Sequence, residues 1–202
     1  MFIHVNTFSG GENMKIFEVL GTPDSGKTTA LKSLSSLLKE MNIPSEFIIE
    51  TRGKDLFPKS MRGSLDYNIM VGAITCSRIQ ETLSHTNAEI VLVDKGYVDY
   101  LFWVQYYLAS GKCTKKEADE ASNLYGDMGV VPNRIIGFTC SPEVAALRCE
   151  DPVETRTVQV SKHNDAFLAF FNSWNRTQKS LIDTSFMTKS EVLDELSHIV
   201  LS

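Results

Sequence analysis

The residues with the clearest chemical use are Gly21-Thr22-Pro23-Asp24-Ser25-Gly26-Lys27-Thr28, which fit the pattern G-x-x-x-x-G-K-[ST]. The glycines let the backbone curl so that its N–H groups point inward at an anion. Lys27 supplies positive charge for the β- and γ-phosphates of a nucleotide, and the Thr28 hydroxyl suits a Mg²⁺ ion held between them. A second group begins where the apolar run Glu89-Ile90-Val91-Leu92-Val93 ends in Asp94-Lys95-Gly96. Asp94 suits either a metal partner for Thr28 or the N-cap of a following helix. Lys95 can reach a substrate phosphate or hydroxyl from the same place. Glu50 closes another apolar run and stands two residues before Arg52. It suits either a base that orients an attacking hydroxyl or an ion-pair partner for Arg52.

The elements that must hold these residues are legible around them. Lys15–Leu20 predicts a strand before the glycine loop, and leucines at 31, 34, 37 and 38 recur at helical spacing after it. A helix start adds free N–H groups and a favourable dipole for bound phosphate. Further strands are predicted at Glu46–Glu50, Glu89–Val93, Arg134–Thr139 and Ser180–Asp183, all continuous apolar runs of the kind buried on both faces of a parallel sheet. Helices are predicted over roughly 27–41, 64–85, 97–110, 115–127, 142–149 and 156–178. A last helix follows the capping-box pattern Thr188-Lys189-Ser190-Glu191 and buries Val192, Leu193, Leu196, Ile199 and Val200. Strands alternating with helices give an α/β fold, with ligands at the carboxyl ends of the strands.

The 202 residues are one domain's worth, and 43% hydrophobic content builds a full core. A net charge of −5 argues against non-specific nucleic-acid binding. Cys76, Cys113, Cys140 and Cys149 lack C-x-x-C spacing, and with four histidines no zinc cluster is expected. The thiols suit a reduced, cytoplasmic protein. No apolar run reaches membrane-spanning length. Residues 1–13 have neither a basic start nor a long apolar stretch, so they are expected to be an extension rather than a signal peptide, with Met14 a candidate initiator.

The glycine loop followed by Thr28-Thr29, the strand ending Asp94-Lys95-Gly96, and Ser141-Pro142-Glu143-Val144-Ala145-Ala146-Leu147-Arg148 together resemble thymidylate kinases and deoxynucleoside kinases. The resemblance spans about residues 14–185. It implies a three-layer P-loop kinase fold: a five-stranded parallel sheet with helices on both faces and a short lid at about 149–157, forming a single domain over 14–202. It implies ATP and Mg²⁺, with Gly21, Asp24, Ser25, Gly26, Lys27, Thr28 and Thr29 around the donor and Thr28 and Asp94 on the metal. It also implies that Glu50 serves as base for the acceptor hydroxyl, and that Arg148 and Arg156 come onto the transferring phosphate. Members carry Arg where this chain has Lys95. They carry Glu-Pro or Arg-Glu-Pro-Gly where it has Glu50-Thr51-Arg52-Gly53. Related kinases are often homodimers.

The expected activity is transfer of the ATP γ-phosphate to a nucleoside or nucleoside monophosphate. Arg52, Lys95, Asp99, Tyr100 and Trp103 are the acceptor-binding candidates. Two alternatives stay open: a P-loop kinase acting on another small molecule or a nucleic-acid end, and a regulatory ATPase. A GTPase is disfavoured because Asn133-Arg134 lacks the acid of a base-reading motif. The rings at 97, 100, 102, 103, 106 and 107 suit core packing, with Tyr100 and Trp103 the ones to stack on a substrate. Asp24 is unusual, since an acid inside an anion-binding loop repels phosphate unless it faces solvent, an arginine or a substrate hydroxyl.

Overall fold

The computed structural model describes residues 14–50, 56–149 and 153–202. Five strands, β1 (Lys15–Gly21), β2 (Ser45–Ile49), β3 (Ile90–Asp94), β4 (Arg134–Thr139) and β5 (Gln178–Asp183), form one sheet in the order β2-β3-β1-β4-β5. Every pairing is parallel. The helices are α1 (Lys27–Glu40), α2 (Leu65–His85), α3 (Tyr97–Ala109), α4 (Lys115–Met128), α5 (Pro142–Leu147), α6 (Val153–Ser173) and α7 (Lys189–Leu201).

The two-residue period of the strands sorts the core into two sides. Phe17, Val19, Leu92, Ile136, Phe138 and Ile182 pack against Leu31, Leu34 and Leu38 of α1 and Leu196 and Ile199 of α7. Leu20 and Ile135 point the other way, into a cluster built by α2, α3, α4 and α6. Val91 and Val93 meet Ile79 and Leu83 of α2 on that side. Helices therefore flank both faces, as the continuous apolar runs predict.

The strand order creates the crevice. From β1 the chain crosses through α1 to the edge strand β2, returns to β3 beside β1, then crosses to β4 on the other flank. Connections diverge at the carboxyl end of β1, which is where ligands collect in open parallel sheets.

Most element ends differ from expectation by no more than two residues, and the largest departures are at α6. α6 begins at Val153 and ends at Ser173, short of 178, and β5 starts at Gln178 rather than Ser180. Lys179 explains the early end, because its ammonium donates to the carbonyls of Phe171, Asn172 and Trp174. The expected lid overlaps residues 150–152, which lie outside the described residues; 153–157 are already helical. Residues 1–13 and Arg52 lie outside them too. The Thr188–Glu191 capping box forms as expected, and Leu193 is half-buried rather than buried. All four cysteines are free thiols, Cys76 and Cys140 buried and Cys113 and Cys149 half-buried. Among the described residues no helix is long and apolar enough to cross a membrane.

His163 of α6 is buried amid Phe102, Trp103, Tyr106 and Phe167. Neither ring nitrogen has a hydrogen-bond partner among the described residues. Burial, then the cations of Lys27, Lys95 and Arg156, push its pKa from 6.5 down to about 3. The unfolded chain accepts a proton below about pH 6.5 that the folded one refuses, so this group costs stability as pH falls toward 3. We expect His163→Phe to remove that loss. Its denaturant midpoint should drop less than that of the unsubstituted protein between about pH 7 and 4.5. Equal drops would contradict a buried neutral imidazole.

Candidate functional site

Gly21 ends β1 at φ 139, and a Cβ there would stand 2.0 Å from the Phe138 carbonyl oxygen. Only glycine lets β1 pass this close to β4 while turning into the loop. The loop then folds on itself. The Thr22 N–H donates to the Phe138 carbonyl at 2.9 Å, and the Ser25 hydroxyl to the Thr22 carbonyl at 2.8 Å. Gly26 is the N-cap of α1 at φ 89 and brings no side-chain cap. The first turn of α1 therefore has no side-chain acceptor at its N-cap, an arrangement that favours an anion there.

Lys27 is 7% exposed and donates to the Thr22 carbonyl at 2.5 Å and the Ser25 hydroxyl at 3.3 Å. Burial, reinforced by Lys95 and opposed by Asp99 and Asp94, lowers its pKa to about 8. The Thr28 hydroxyl donates to Asp94 Oδ2 at 2.6 Å. β1 and β3 are sheet neighbours, with Val19 opposite Asp94, and this brings the two together. Asp94 Oδ1 is buried with no hydrogen-bond partner among the described residues. A hydroxyl beside a carboxylate with one unused oxygen is a hard-oxygen donor pair that suits Mg²⁺ completed by phosphates and water.

The turn after β3 is held from below. Lys95 adopts φ 63. Glu18, 2% exposed on β1, then accepts N–H bonds from Gly96 (3.1 Å), Val98 (3.1 Å) and Asp99 (2.8 Å) at the start of α3. Burial pushes the Glu18 carboxyl up to about 7 although these three bonds pull it down. Glu18 is a lone acid inside the apolar run of β1, a signal that no motif of the sequence singles out. No motif singles out Thr184, which anchors Arg148, or His163 either.

Asp99 is buried and accepts from Trp103 Nε1 at 3.1 Å. Burial pushes its pKa up to about 7, with Lys95 opposing. Lys95 Nζ donates to Glu50 Oε2 at 2.9 Å. Burial acts to lower the Lys95 pKa, but Glu50, Asp99 and Asp94 outweigh it and raise it. The Tyr100 hydroxyl reaches Glu50 Oε1 at 3.4 Å and Thr75 Oγ1 at 3.0 Å. The ring of Tyr100 stacks on Tyr125 in the core, so its flat faces do not reach the site.

A cavity of about 550 Å³ gathers Gly21, Gly26, Lys27, Thr28, Lys95 and Asp99, with Thr29, Trp103, Asp24 and Arg156 on its walls. A second, of about 340 Å³, opens on the other side of the loop between α1, Arg148, Thr184 and Met187. Asp24, Gly26 and Thr29 border both. Asp24 faces an arginine: its Oδ2 accepts from Arg156 Nε at 2.7 Å and from Nη2. Arg148 donates to the Asp24 carbonyl (3.3 Å), to Thr184 Oγ1 (3.0 Å) and to the Thr184 carbonyl (3.1 Å). Of the sequence-predicted residues, only Arg52 lies outside the described part.

A scan against protein-family models and a search of curated proteins match nothing to this chain.

The Lys95 and Glu50 side chains are 34% and 29% exposed, so solvent screens their attraction. A double-mutant cycle of Glu50→Gln and Lys95→Met should give a coupling in unfolding free energy of only about 0.5–1 kcal/mol. A coupling several times larger would show a desolvated pair.

Proposed function

We propose that the chain is an ATP-dependent phosphotransferase of the P-loop nucleoside and nucleotide kinase type. The carrying observation is the Thr28–Asp94 hydrogen bond beside Lys27, with Asp94 Oδ1 left without a partner among the described residues, at the carboxyl ends of adjacent strands. A phosphate-cradling loop and an acid on the neighbouring strand are the parts that phosphoryl transfer needs.

The two cavities that meet across the loop support a division of labour. The smaller, between α1 and Thr184, suits the nucleoside end of the donor, and the larger suits its phosphates and the acceptor. Loop N–H groups and Lys27 bind the donor phosphates and stabilise charge on the leaving oxygen. Thr28 and Asp94 would hold Mg²⁺, which would supply positive charge to the donor phosphates. The bond from the γ-phosphorus to the β,γ-bridging oxygen breaks as one to the acceptor oxygen forms. Glu50 accepts a hydrogen bond from the acceptor hydroxyl and takes its proton, while Lys95 fixes the carboxylate and Asp99 and Trp103 border the acceptor. The transition state is loose, so Glu50 contributes mainly orientation.

Incubation with ATP·Mg²⁺ and a panel of nucleosides, nucleoside monophosphates and other hydroxyl compounds should give ADP and one phosphorylated product. ADP without a phosphorylated product would favour a regulatory ATPase. Lys27→Ala should lower nucleotide turnover by at least about a hundredfold. Unchanged activity would remove the loop from the mechanism.

A further inference from the structure

Asp24 brings negative charge to a loop whose geometry serves anions, and the fold answers that charge in a particular way. Its backbone sits at φ 58, a left-handed conformation that Asp and Asn tolerate better than other side chains. Its carboxylate faces α6, where Arg156 donates to one oxygen through both Nε and Nη2. Its carbonyl accepts from Arg148, which is itself tied to Thr184. Two guanidinium groups, from the end of α5 and the first turn of α6, thus converge on a single residue of the loop.

The Asp24–Arg156 pair lines the same cavity as Lys27 and Thr28. Its side chains are only 26% and 17% exposed, so the geometry is sheltered from solvent. Arg156 Nη1 also donates to Gln159 Oε1 at 3.5 Å, and the planar fork of arginine keeps its direction when bonded in this way, whereas lysine is a flexible point charge.

We propose that Asp24 is a positioning residue that holds Arg156 over the phosphate-binding loop, aimed at the terminal phosphate of a bound nucleoside triphosphate. This rests on the donor site assigned under the proposed function. Asp24 cancels the arginine's charge while the loop is empty and fixes its direction. An incoming γ-phosphate then meets a guanidinium already in place. The acid thereby makes the site selective for a triphosphate over a diphosphate.

The test is titration calorimetry with Mg²⁺, comparing a hydrolysis-resistant ATP analogue with ADP, so no acceptor is needed. The unsubstituted protein should bind the analogue at least about tenfold tighter than ADP, as expected for a charge-assisted bond to the γ-phosphate. Asp24→Asn keeps the size and tolerates the φ, and should remove most of that preference, weakening the analogue far more than ADP. Arg156→Ala should remove it equally, and the double variant should lose no more than either alone. Asp24→Glu, which retains the carboxylate, should recover part of it. A merely structural role would weaken both nucleotides together.

An intact preference in Asp24→Asn would overturn the proposal, as would tighter binding of both nucleotides by the same factor. Failure of the unsubstituted protein to bind either nucleotide would overturn the donor site and this inference with it. Binding of both with no preference would overturn this inference alone.

Discussion

The contact on which the site depends most is made by a buried carboxylate that does not line the cavity. Glu18 lies on the central strand and takes the N–H groups of Gly96, Val98 and Asp99. It thereby caps α3 from the strand that also carries the glycine loop. Burying an acid is costly, and three backbone donors at the positive end of a helix offset that cost. The fit is close: a Cβ on Gly96 would stand 2.9 Å from Glu18 Oε2. A side chain at 96 would press on the carboxylate that caps α3. Asp94, Lys95 and Asp99 are all carried on the segment that this contact fixes.

Around that support several of the charges are partnered. Lys95 bonds Glu50, Arg156 bonds Asp24, and Asp94 accepts from Thr28. Lys27 donates only to uncharged loop oxygens, and its pKa falls while that of Lys95 rises. The difference is physical. Lys95 has a carboxylate in contact and Lys27 has only carbonyl and hydroxyl oxygens, so burial wins for one and loses for the other. A polyanion entering the cavity would find Lys27 the cation with most to gain.

The aromatic helix shows how one sequence feature divides in the fold. The rings of α3 are mostly core: Phe102 meets His163, Phe167 and Phe170, and Tyr100 stacks on Tyr125. Trp103 is the exception, because its position on the helix faces the cavity and its N–H reaches Asp99. Composition alone cannot separate these, since each ring carries the same hydrophobic incentive to be buried. The azimuth of each position around α3 separates them.

Much of the fold is legible in the sequence. The apolar runs and capping boxes set the elements to within a few residues, because backbone periodicity and local hydrogen bonding are short-range. The exception is the end of α6, which Lys179 closes from the following strand. The spacing from Gly21 to Thr28 set the loop, since that chemistry is contiguous. The sequence by itself therefore determined the strand–loop–helix unit, the alternating α/β pattern and the identity of Asp94 and Glu50 as strand-end acids. Only the tertiary structure decided which residues meet. It paired Asp24 with Arg156 across 132 positions, Arg148 with Thr184 across 36, and Glu18 with α3 across about 80. Such contacts depend on strand order and on which face of each helix turns inward, which are set by packing the whole chain into one core.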